Sequence, residues 1–201
     1  MRNLVSILLL TALAAPAGAL SQGDRNRALS ELHATRKMFL DALANLSDAQ
    51  LHWKPAPNRW SVAECAEHII LTEDFLFEQL TDKILKTPAA PEKATAEQRA
   101  KDEEVLKGYA DRSRKAQAPD FLKPTGRWKT REALIEAFKK SRDRTIAFVR
   151  KTNEDLRAHF TEAPGGRTLD AYQWILFMVA HSNRHIQQIK EVKSSPGFPV
   201  E

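Results

Sequence analysis

Trp174, Met178, His181, His185, Gln188 and Val192 follow one another at steps of four, three, four, three and four residues. That spacing is the buried seam of a core-facing helix, the a/d pattern by which one helix packs against others. A helix with such a seam cannot hide its apolar face alone, so the chain must supply partner helices. Two histidines lie one turn apart on the face that must be covered.

Three further stripes supply the partners. Leu29, Leu32, Arg36, Phe39, Leu43 and Leu46 recur along residues 24–46, and Ser47-Asp48 reads as the stop of that helix. The segment 53–60 holds Pro55 and Pro57 and reads as a loop. Ser61 with Glu64 three residues on is a capping box, with Trp60 placed to staple onto Cys65. The helix it opens extends to about Lys86, with Cys65, His68, Thr72, Phe75 and Gln79 on one face. A third helix starts near Thr130, with Leu134, Phe138, Ser141, Thr145, Phe148 and Thr152 as its seam, Ala137 and Val149 beside it, and Asn153 as its stop. The fourth runs from about Thr168, after the tight turn Pro164-Gly165-Gly166, to Val192. Helices of about 20–26 residues span roughly 30–39 Å at 1.5 Å per residue. Matched lengths predict an all-α fold, a four-helix bundle. Residues 87–129 form a long crossover between helices two and three, letting them run parallel or skip a neighbour. Thr95 with Gln98 can cap a helix within it, through about Lys115, whose strip of Val105, Leu106 and Tyr109 suits the surface.

The bundle is predicted to begin only after residue 19. Arg2, the apolar run 4–13 and Ala17-Gly18-Ala19 have the form of a secretory leader, too short to span a bilayer. The expected organisation is a signal peptide at 1–19, the bundle at 20–193 and a C-terminal tail at 194–201. The expected location is periplasmic or extracellular, with no membrane attachment after cleavage. One cysteine cannot close an internal bridge, and Cys65 is expected to be a small buried residue. Formal charge is +5, and the leader takes Arg2 and no acid, leaving +4 spread among acids. No basic cluster with interleaved aromatics supports nucleic-acid binding. A small-molecule ligand and a homodimer remain open as partners.

A histidine on an apolar face is commonly a core residue with a hydrogen-bond partner. Two stacked on one seam are harder to satisfy that way, since each unpartnered buried ring costs about 1–3 kcal/mol. An i, i+4 pair can point both imidazoles at one ion. His68, on the inner face of helix two, completes a set of three with an open fourth position, as in catalytic sites. Imidazole ligands suit a divalent metal, zinc first, with nickel, iron or copper as alternatives. Ser182 stands where a zincin has its glutamate, so a metalloprotease of that kind is excluded. Gln188, one turn beyond His185, is the candidate to orient His185 or a bound water. Glu64 is explained by capping. His52 and His159 lie in connections, while His33 sits beside the first stripe within reach of the core.

The stretches 58–70, NRWSVAECAEHII, and 169–189, LDAYQWILFMVAHSNRHIQQI, resemble the DinB-like superfamily of metal-binding four-helix bundles, related to DNA-damage-inducible proteins and thiol-dependent transferases. APDFLKPTGRW and helix three resemble a subset of it. The resemblance implies a crossover after helix two and a metal held by one histidine of helix two and two of helix four, which map onto His68, His181 and His185. It also implies transferase or isomerase chemistry with a small thiol in some members. Such thiols are mainly cytoplasmic, which sets an exported chain apart. Two functions compete: a metal-dependent hydrolase or transferase, and a non-catalytic metal- or ligand-binding bundle. A third reading, an interaction bundle with vestigial histidines, requires no metal. The catalytic residues, including any general base, are not identified by the sequence.

Overall fold

The computed structural model describes residues 20–113 and 116–200, so the expected leader at 1–19 lies outside the described residues. Four long helices form the bundle: α1 (Gln22–Leu43), α3 (Val62–Asp82), α6 (Arg131–Lys151) and α7 (Ala171–Lys193). Around them lie α2 (Asp48–His52), α4 (Ala96–Ala100), α5 (Asp102–Ala110) and a hairpin of β1 (Phe160–Ala163) and β2 (Arg167–Asp170). No described helix is long and apolar enough to cross a membrane.

α3 packs on α7 and α6, and α1 packs on the same two, so α1 and α3 stand on one diagonal. Cross-helix contacts set the directions. Asp74 pairs with Arg144 and Phe77 meets Phe148, so α3 and α6 run parallel. Tyr172 reaches the Asp24 carbonyl and Lys193 the Ala42 carbonyl, so α1 and α7 run parallel. Glu73 meets Ser182 while His68 meets His185, so α3 and α7 are antiparallel. The crossover between α3 and α6 therefore joins parallel neighbours.

Apolar seams bury Leu32, Phe39 and Leu43 of α1, Leu134 and Phe138 of α6, and Trp174, Met178 and Val192 of α7. Phe39 and Phe138 stack with centroids 3.8 Å apart. Arg142 of α6 is fully buried at the centre. Its guanidinium reaches Glu73 of α3, Ser182 of α7, and the Thr35 hydroxyl and Leu32 carbonyl of α1. One side chain thus ties all four helices together.

The structure differs from the expectation at element ends. α1 stops at Leu43, three residues early, because Asn45 takes a left-handed turn (φ 57°) that an asparagine tolerates. Ser47-Asp48, read as a stop, instead opens α2 through a Ser47–Gln50 capping box. α3 ends at Asp82, and residues 84–86 form a separate 3-10 turn. The crossover helix is two pieces that end at Ala110, and it is not a surface strip alone. Val105 belongs to the core, while Asp102 and Gln98 are buried against Arg157 and Gln173. The turn at Pro164-Gly165-Gly166 closes a β-hairpin, with both glycines at positive φ. Pairing of residues 167–170 with 160–163 delays α7 to Ala171, where Asp170 and Gln173 form its capping box. Residues set apart as a tail fold back, with Phe198 edge-on to Trp53 and the Pro199 carbonyl accepting from Gln50.

Candidate metal centre

His68 lies seven residues past the Ser61 cap of α3, and His181 and His185 lie one turn apart on α7. Antiparallel packing brings the three rings together. The centroid of His68 lies 5.0 Å from that of His181 and 4.5 Å from that of His185, and His181 and His185 are also 4.5 Å apart. One ring nitrogen from each lies within 4.8 Å of the others. Ligands on a tetrahedral ion at about 2.0–2.1 Å sit about 3.3 Å apart, so small side-chain rotations close the set.

Hydrogen bonds fix which nitrogens face inward. His68 Nδ1 donates to the Leu122 carbonyl at 2.8 Å, and a carbonyl only accepts, so Nε2 keeps its lone pair. His185 Nδ1 lies 2.9 Å from Gln188 Oε1. Arg112 also donates to Gln188 Oε1, at 3.3 Å, and guanidinium only donates. That contact identifies the oxygen end of the amide and makes His185 Nδ1 a donor. Arg112 is itself clamped by Glu191 at 2.6 Å through two nitrogens. His181 is different: its Nδ1 is sealed from solvent with no hydrogen-bond partner, although the residue is only half-buried.

Burial pushes all three imidazoles below their ordinary range. For His185 this desolvation, with repulsion from His68 next, lowers the pKa to about 3. Burial lowers His68 against the opposing Leu122 hydrogen bond, and burial with repulsion from His185 and His68 lowers His181 further. The rings are therefore neutral at physiological pH, the form that ligates a cation. Three neutral donors, two with Nδ1 already bonded so that Nε2 is free, form a set that fits a divalent metal.

Trp60 covers the set, its ring 4.9 Å from His68 and 6.1 Å from His185. Phe177 stands edge-on to His181 at 6.4 Å with Tyr109 behind it. Trp60, expected to staple onto Cys65, packs against the apolar cluster that contains Cys65, and its ring also lies against the histidines. Cys65 itself is buried in the apolar core, which pushes its thiol pKa far up. Glu64 holds the Ser61 amide and pairs with Lys54, as its capping role requires. Nearby carboxylates are committed elsewhere, Glu73 to Arg142 and Ser182, Glu191 to Arg112, and Glu67 to the amides of Thr125, Gly126 and Arg127. His33 is exposed and does not reach the core, while His52 and His159 bond the Lys129 and Thr87 carbonyls. Sequence reasoning singled out the three histidines that the structure brings together and Gln188, which lies against His185. It missed the Leu122 carbonyl, since a backbone acceptor leaves no residue signal. It also missed Arg112, which sits in a crossover without periodicity.

Comparison with known proteins agrees with the fold. The uncharacterized protein YuaE of Bacillus subtilis (strain 168) is 25% identical over 165 residues, covering 82% of this chain and 96% of that one. YfiT from Bacillus subtilis, described as a probable metal-dependent hydrolase with an unusual four-helix bundle topology, superposes with a TM-score of 0.53 at 15% identity. The match covers 92% of this chain and 95% of YfiT. The DinB superfamily pattern matches residues 31–189, which span every helix that supplies the site, and the chain belongs to the DinB superfamily.

Proposed function

We propose that this is an exported DinB-family protein that binds one divalent metal, zinc first, through His68, His181 and His185, and uses it as a hydrolase or transferase. The observation that carries the reading is the convergence of three neutral imidazoles, two with Nδ1 occupied so that Nε2 faces inward. An ion held there supplies Lewis acidity, which polarises a substrate oxygen or lowers the pKa of water. The chain's own residues do the rest. Leu122 and Gln188 orient two of the rings, while Trp60 and Phe177 limit solvent around them. The description of YfiT as a metal-dependent hydrolase favours hydrolysis over transfer.

The commitment of Glu73, Glu191 and Glu67 to other partners favours a second reading, a non-catalytic metal- or ligand-binding bundle, because none of these three acids stands ready as a general base. Stripping the protein with a chelator and restoring zinc, nickel or iron(II) separates the two. Turnover of an ester, amide or thiol-transfer substrate that vanishes on stripping and returns with metal supports the enzyme. Metal binding without metal-dependent turnover across that panel supports the binder. Export is tested by the N-terminus of protein recovered outside the cytoplasm. Leu20 should come first, and intact Met1 on a cytoplasmic product would refute it.

A further inference from the structure

Buried hydroxyls on these helices usually bond back to the carbonyl one turn earlier. Thr35 does so to Glu31, Thr145 to Ser141, and Ser182 to Met178. Thr72 does not: it is 4% exposed, and its Oγ1 is sealed from solvent with no partner. It lies one turn past His68 on α3. Its neighbour Glu73 accepts from the Ser182 hydroxyl at 2.7 Å, and Ser182 follows His181. α3 and α7 run antiparallel, so Thr72 and His181 stand at the same level of one interface. Each presents a buried polar atom that is unmet, Thr72 Oγ1 and His181 Nδ1. The other two rings already have Nδ1 acceptors, the Leu122 carbonyl and Gln188 Oε1. A ring held by such an acceptor has its tautomer and orientation set, and losing the acceptor weakens metal binding.

We propose that Thr72 is the positioning residue for the third imidazole: its hydroxyl accepts from His181 Nδ1–H and turns Nε2 toward those of His68 and His185. This rests on the metal reading above. Zinc affinity, measured by competition with a chromophoric chelator, separates the two. Thr72→Val should weaken zinc about 10- to 100-fold, while Thr72→Ser should stay near wild type. Ser141→Ala removes the other unmet helix hydroxyl, on α6 across the bundle diagonal from α7, and should change little. Long-range nitrogen NMR of zinc-loaded wild type gives a readout that needs no variant, with His181 protonated at Nδ1 and ligating through Nε2. Thr72→Val binding zinc like wild type, or His181 ligating through Nδ1, overturns the role of Thr72 and leaves the metal site standing. Wild type that takes up no zinc overturns both.

Discussion

At the scale of single residues, the three histidines behave as a unit because burial acts on each. In metal-free protein their pKa values lie below the ordinary 6.5, and that of His185 falls to about 3. The unfolded chain therefore takes up protons below pH 6.5 that the folded protein refuses, and stability must fall as pH falls through that window. For His185 the loss continues down to about pH 3. Urea unfolding of the apoprotein should show a lower midpoint at pH 5 than at pH 7, and His185→Gln should flatten the difference. An apoprotein equally stable at both values would contradict the neutral-ring description. His68, His181, His185 and Gln188 were legible because helical periodicity puts ligand-type residues on a face that must be covered. The Leu122 carbonyl and the role of Trp60 were not, since tertiary packing alone brings them to the rings.

At the scale of elements, capping was the most readable signal. Ser61 and Glu64 form the expected reciprocal pair, and the start of α3 that they fix sets where His68 falls. Ser61→Ala should lower stability by about 1 kcal/mol, read as a reduced thermal midpoint. A midpoint equal to wild type would show that the cap is redundant. The same signature at Ser47–Gln50 and Asp170–Gln173 went unread, for different reasons. α2 has only five residues, too few for periodicity to show. Asp170 lies at the end of a four-residue strand whose partner is ten residues away, and neither arm alternates clearly between apolar and polar residues. The crossover was read as a surface strip because, Val105 apart, the buried groups of α4 and α5 are polar. Asp102 and Gln98 are interior through Arg157 and Gln173, and hydrophobic patterning does not register such contacts.

At the scale of the whole molecule, four apolar stripes and one long connection carried the bundle, and α3 and α6 lie parallel as that connection allows. The charged centre was not legible, because Arg142 occupies the step after Ser141 where a solvent-facing residue is the ordinary expectation. Its ion pair with Glu73, shared with Ser182 and Thr35, spans all four helices. Arg142→Met should cost about 3–5 kcal/mol by leaving Glu73 buried and unpaired, seen as a fall in the denaturation midpoint. Replacing Arg142 and Glu73 together by apolar residues should recover much of the loss, whereas no recovery would mean that the pair is not the source. The molecule so assembled has its central claim at the point where α3 and α7 meet. Elemental analysis of purified wild type beside His181→Ala tests it most directly. The account predicts close to one divalent metal per wild-type chain and little in the variant. No metal in the wild type, or full content retained without His181, would contradict it.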